Sequence, residues 1–458
     1  MFRLTLIVLT VLLAACLLAA SQVSPSVGQG FGGSASAKPY LTARFDDPVS
    51  RLQKRLEAGE AHLEWHGRHG YLRAVLRELQ ISPASQMLVF SKTSLQRGFI
   101  SPQTPRAIYF NDTTYVAWTP DAPMLEISST DPRWGGTFYT VVQNESDKTN
   151  KADRPHFSRQ TFDCISCHQS ALTENVPGPT VRSVYALADG LPDLSGGSFV
   201  STDRSPMNER WGGWYVTGTH GRQRHMGNVF ARSGGRDSEG RSNGIELDRD
   251  AGANITDLRD RLNTRPYLSP HSDLVALMVL EHQTTVHNQI TKANYGTRDA
   301  LRDAGVMNAF ENKPANTPRP ITASRLESAC EPLLKALLFV GAPPLTDPIS
   351  GTSSFAREFA ARNGPTEGPR DKQGRSLRDL DLKTRLLRYP CSYLIYSEAF
   401  DGMPTPAREY FYRRIGEIAD GKESGEDFAN LSPEDRRAID AILRDTKPEY
   451  AVWRAAHR

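Results

Sequence analysis

Two cysteines three residues apart, Cys164 and Cys167, with His168 directly after them, constrain this chain more than any other feature. They lie in a long stretch, Pro155 to Gly252, that is dense in Gly, Ser, Arg, Trp and His. The stretch has few periodic apolar residues, so it is expected to be loop-rich. A bound group is therefore expected to supply the core that this segment lacks.

The run Cys164-Ile165-Ser166-Cys167-His168 resembles the haem-attachment motif of the c-type cytochromes. In that family the two thiols add across the vinyl groups of haem, and the adjacent histidine binds the iron. The resemblance implies one covalently attached haem c, with Cys164 and Cys167 as the thioether positions and His168 as the proximal ligand. It covers only these five residues, and no narrower family is indicated.

Zinc binding, thiol redox chemistry and a structural disulfide are the alternatives for the same cysteines. A zinc site usually needs a second pair of ligands at short spacing, whereas Cys330 and Cys391 are remote single cysteines. A redox dithiol has no need of the following histidine, and a Cys164–Cys167 disulfide would close a very tight loop. For Cys330 and Cys391 themselves, a disulfide and two free buried thiols are both open.

The N-terminus carries an export signal. One positive charge precedes the apolar run Leu4 to Ala20, and small residues follow it, which predicts a signal over residues 1–21 and a flexible leader over 22–39. Lipidation at Cys16, cleavage near Ser21 and an uncleaved membrane anchor all remain open. Each of them predicts a periplasmic or otherwise exported protein, with a membrane tether in the first and third cases.

The second axial ligand of a haem iron follows no spacing rule. Candidates cluster between Ser205 and Asn228, where Gly, Trp and Arg residues would suit the faces and propionates of a flat cofactor. Met226 is the candidate distal iron ligand, and His220 and His225 are candidate acid/base residues if the distal face is open.

Three functions fit these features. The first is periplasmic one-electron transfer by a cytochrome with both axial positions filled. The second is a haem oxidoreductase, peroxidase-like or oxidising a small substrate, and the third is a haem-based sensor or envelope interaction protein. The partner is accordingly a redox protein or a small molecule. Lys and Arg exceed Asp and Glu by 55 − 52 = 3, which gives no electrostatic case for nucleic acid.

The apolar patterns predict an α+β fold that is predominantly helical, with a small antiparallel sheet in the N-terminal half. Helical spacing predicts two helices between Pro48 and Gln80, and β-rich runs follow between Ala107 and Gln143. Further helices are predicted at 274–294, 324–340, 380–400, 406–418 and 433–443. The expected regions are 40–154 (helices and small sheet), 155–270 (haem c binding) and 271–458 (helical).

Overall fold

The computed structural model describes residues 40–143, 155–234, 244–362, 368–423 and 425–457. The predicted signal over 1–21, with Cys16, and the predicted leader over 22–39 lie outside these ranges. The chain is 39% helical and 13% strand, with its main sheet in the N-terminal half, which confirms the α+β class. Within the described ranges, no helix is long and apolar enough to cross a membrane.

The main sheet is an antiparallel meander of six strands, in which chain neighbours are also sheet neighbours. The strands are β1 Met87–Val89, β2 Arg106–Phe110, β3 Thr114–Trp118, β4 Met124–Asp131, β5 Gly135–Val142 and β6 Ser158–Arg159. The β-rich runs predicted between Ala107 and Gln143 form strands β2 to β5. The edge strands β1 and β6 were missed because they are too short to show an alternating pattern.

One face of this sheet is fully buried. Residues such as Tyr109, Val116 and Ile127 form a core with helices α1 (Pro48–Ala58) and α2 (Leu72–Glu78). Asp47 begins α1 by accepting hydrogen bonds from the first backbone amides of the helix. The two helices predicted in this part of the chain are therefore confirmed.

The central segment consists of loops and very short elements. They are the single-turn helix α3 (Ile165–His168) and strands β7 Arg182–Val184, β8 Ser198–Val200, β9 Gly218–Thr219, β10 Arg232–Ser233 and β11 Ile245–Glu246. The segment forms no separate large core among its described residues. Instead Trp211 and Trp214 join the core around helix α4 (Leu274–Phe310), and Tyr215 joins the core of α1 and α2.

Helix α4 crosses the other face of the sheet and organises the C-terminal half. Asp273 caps it, as predicted, but the helix continues well past residue 294. The remaining elements are α5 Pro320–Leu337, β12 Ser350–Gly351, α6 Phe355–Ala361, α7 Glu398–Asp401, α8 Thr405–Ala419, α9 Pro433–Thr446 and α10 Pro448–Ala456. Helices α5, α8 and α9 match predicted helices, whereas α6 and α10 were not predicted.

The helix predicted over 380–400 is wrong. Only the turn Tyr393–Tyr396 and the short α7 are helical there. Asp381 accepts hydrogen bonds from the backbone amides of Thr384 and Arg385, which favours a turn. Pro390 has no N–H and disfavours a helical residue before it, so leucines at helical spacing do not form a helix here.

Candidate functional site

The motif folds as one helical turn. The carbonyl of Cys164 accepts hydrogen bonds from the amides of Cys167 and His168, at 3.2 and 2.8 Å. Positions i, i+3 and i+4 share one side of such a turn, so both cysteines and the histidine face the same way. Ile165 is buried, whereas the Cys164 side chain is half-buried and Cys167 is exposed. Both thiols are free. The turn thus presents the three groups that haem attachment requires.

His168 is held by a backbone carbonyl. Its Nδ1 lies 2.9 Å from the carbonyl oxygen of Gly178, and its ring packs on Phe138 with centroids 4.7 Å apart. An Nδ1–H that donates to this oxygen leaves Nε2 with a lone pair, and Nε2 has no hydrogen-bond partner among the described residues. Burial lowers the pKa of His168, so the imidazole is neutral. A neutral, oriented imidazole with a free Nε2 fits an iron ligand.

A larger residue at Gly178 would require the Asn288 side chain on α4 to move. A Cβ on Gly178 would overlap the side-chain oxygen of Asn288 on α4 and lie 2.8 Å from its Cγ. Asn288 in turn donates from Nδ2 to the carbonyl of Pro179, at 2.9 Å. The sequence analysis missed Gly178, although the rigid run Pro177-Gly178-Pro179, ten residues after His168, was a signal for a fixed carbonyl.

The surroundings of Cys164 do not suit thiol redox chemistry. Burial, with the negative charges of Glu126 and Asp163, raises the pKa of Cys164 to about 11. A redox-active Cys-x-x-Cys pair needs a lowered thiol pKa, so this environment does not suit it. In the described part of the chain, no group of three or more His, Cys, Asp and Glu side chains is placed to hold a metal ion.

The structure brings the distal candidates together, in a cluster of their own. The His225 ring lies 4.7 Å from that of His220 and 5.4 Å from that of Trp211, by centroids. Met226 is fully buried, and its sulfur accepts a hydrogen bond from Ser183 at 3.7 Å. Neither histidine nor Met226 shares a hydrogen-bonding or ring partner with His168.

The two histidines are engaged by the backbone. His220 pairs through Nδ1 with the carbonyl of Gln223, and its Nε2 accepts from the amide of Asn254 at 2.9 Å. His225 accepts from the amide of Gly227 at Nδ1, which places its proton on Nε2. Burial lowers the pKa of His225 to about 3. This arrangement is typical of histidines that hold a loop, and it favours neither as an acid/base group.

A cavity of about 650 Å³ lies beside part of this segment. Met207 and Arg210 line it together with Met278, Phe339 and Leu387, and no residue of the Cys-x-x-Cys-His turn does. The cavity and the motif are therefore separate places in the fold.

A buried hydrogen-bonded chain lies next to that cavity. His282 on α4 pairs with Asp203 at 2.8 Å through Nδ1 and with the Ser392 hydroxyl at 2.7 Å through Nε2. The spacing matches a Ser-His-Asp triad, but Ser392 is fully buried and its oxygen accepts from the amide of Leu394. These contacts satisfy a core histidine and do not expose a nucleophile.

Cys330 and Cys391 are both free and fully buried in the core around α4. Burial raises the pKa of each thiol to about 12, which keeps both protonated. The structure therefore has two free buried thiols at these positions and no disulfide between them.

Comparison with known protein families, with curated proteins and with solved structures finds no match for this chain. The residues of the site itself therefore carry the functional assignment.

Proposed function

We propose that this protein is an exported c-type cytochrome that binds one haem c through Cys164 and Cys167 and acts in periplasmic one-electron transfer. His168 carries the proposal, because its Nδ1 is fixed by the Gly178 carbonyl, its Nε2 has no partner among the described residues, and it shares one side of the turn with both thiols. When bound, haem supplies a one-electron couple. The chain's own residues fix the tautomer of His168 and present two free thiols, of which Cys167 is exposed.

Electron transfer is favoured over peroxidase-like chemistry by the state of the distal candidates. Acid/base catalysis needs a side chain with a free site for a proton. Both nitrogens of His220 are hydrogen-bonded, and neither His220 nor His225 shares a described hydrogen-bonding or ring partner with His168, so neither is an acid/base group beside the proposed iron ligand. A redox protein is accordingly the proposed partner. The N-terminal signal, with or without lipidation at Cys16, supports an exported or membrane-tethered location.

Expression together with haem-attachment machinery tests the proposal. The denatured wild-type chain is expected to carry the mass of one haem, with the absorption of a two-thioether haem. Cys164→Ser should leave one thioether or none, whereas Cys330→Ser, the matched control, should leave attachment unchanged. A wild-type chain without covalent haem would refute the proposed function.

The spectrum of the ferric protein separates a carrier from an enzyme. Low-spin, six-coordinate iron that ignores cyanide and azide is the result expected of an electron carrier. A high-spin signal that changes on adding either ligand would instead support the oxidoreductase alternative.

A further inference from the structure

One face of the six-stranded sheet is only partly covered. Its buried part, towards Phe110 and Tyr115, packs into the core around α4. Beyond them lies a continuous half-buried area across β2, β3 and β4, here called the open patch. Its members are Arg106, Ile108, Ala117, Met124, Glu126 and Ser128. They share one face because Ile108 pairs with Ala117 and Ala117 pairs with Glu126 in the strand register.

The haem-attachment turn borders this patch. Phe138, which packs on the His168 ring, lies opposite Ser128 in the register of β4 and β5. The charge of Glu126 acts on both Cys164 and His168, and the charge of Arg106 acts on His168. Both thiol and imidazole therefore lie close to the polar part of the patch.

His168 is linked to the patch through Phe138 and through the charges of Arg106 and Glu126. These two residues form a 2.8 Å ion pair with side chains only 18% and 15% exposed.

Two polar atoms in the patch are buried without a hydrogen-bond partner among the described residues. They are the Ser128 hydroxyl oxygen and Nε of Arg106. Buried donors without a partner are uncommon, because each loses its bonds to water without replacement. They lie beside Ile108, which packs in part against the core around α4, and beside Ala117, and both of these apolar side chains are only half-buried.

We propose that the haem attached at Cys164 and Cys167 packs against the open patch. Ile108 and Ala117 then give apolar contact to the ring, and Arg106 offers a cation to a propionate. This inference rests on the proposed function. It moves the cofactor's environment from the 205–228 segment to the sheet.

Ala117→Phe tests the proposal through the sign of two stability changes. Without haem, in a Cys164→Ser/Cys167→Ser background, the added ring covers open apolar surface, so the melting temperature is expected to stay equal or rise. With haem attached, the ring and the cofactor compete for the same space. The melting temperature is then expected to fall by several degrees, and the reduction potential to shift. Ala455→Phe, at an exposed position of α10, is the matched control and should change neither.

Two results would overturn the proposal. Equal loss of stability with and without haem would show that Ala117 is only a packing position. No change in either form would place the haem elsewhere. If Ala117→Phe does not fold, Ala117→Leu takes its place, and the same two outcomes apply to it. If the wild-type chain acquires no covalent haem, the proposed function fails instead, so the two failures are distinguishable.

Discussion

Replacing Gly178 by alanine isolates the contact that fixes His168. The backbone of Gly178 needs no positive φ, so Gly178→Ala introduces no left-handed backbone strain. The new methyl would overlap the Asn288 oxygen and lie 2.8 Å from its Cγ, well inside the normal contact distance of about 3.5–4.0 Å. Either the Asn288 side chain or the loop that carries Gly178 must move by about 1 Å.

The contacts of Asn288 and of the Gly178 loop determine how much free energy this movement costs. Moving Asn288 breaks the 2.9 Å hydrogen bond to Pro179, and leaving buried groups unpaired costs about 1–3 kcal/mol. Overpacking itself costs about 1–3 kcal/mol. We expect Gly178→Ala to lower the free energy of unfolding by about 2–4 kcal/mol. We also expect the Nδ1 proton of His168 to exchange faster, because its acceptor carbonyl moves.

Urea unfolding of the haem-free protein and nitrogen-15 NMR of the histidines measure the two effects. Gly98→Ala is the matched control, because nothing lies within 4 Å of a Cβ there. In the Asn288→Ala background the methyl has room, so Gly178→Ala should cost far less in it. Equal stability of Gly178→Ala and Gly98→Ala, with an unchanged His168 signal, would refute the steric reasoning.

Two further predictions concern helix α4. The Asp273 carboxylate accepts hydrogen bonds from the amides of Val275 and Ala276, and from two further amides at residues 352–353. Asp273→Ala removes this acceptor, so urea unfolding should show a free energy of unfolding lower by about 2–4 kcal/mol. Asp273→Asn, which keeps an acceptor, should lose less. Burial lowers the pKa of His287 from 6.5 to about 4, so between these pH values the unfolded chain binds a proton that the folded chain does not. This residue should therefore lower stability by about 1.4 kcal/mol per pH unit as the pH falls, and His287→Asn should reduce that slope in urea titrations at several pH values.

Local patterns gave much of the secondary structure. Asp273 before an apolar run predicted the start of α4, and Pro433 predicted the start of α9, because capping and periodicity depend on a few neighbouring residues. The same reasoning failed over 380–400. There a proline and side-chain hydrogen bonds to the backbone outweigh the spacing of the leucines.

The sequence by itself determined which groups the candidate site offers. Cys164, Cys167 and His168 supply two thiols and an imidazole, and the helical turn in the structure puts them on one side. The sequence did not show which residues lie next to these three groups in the fold. His220, His225 and Met226 are close in the chain and form a cluster, but one that shares no described partner with His168.

Only the tertiary structure decided the partners of the turn. The carbonyl of Gly178, the ring of Phe138 and the Arg106–Glu126 pair come from a loop and three strands separated along the chain. Their meeting depends on strand register and on the packing of α4 against the sheet, which arise from contacts distant in sequence. Residue spacing along the chain does not predict such contacts. The motif therefore indicates which side chains can react, and the fold decides what surrounds them.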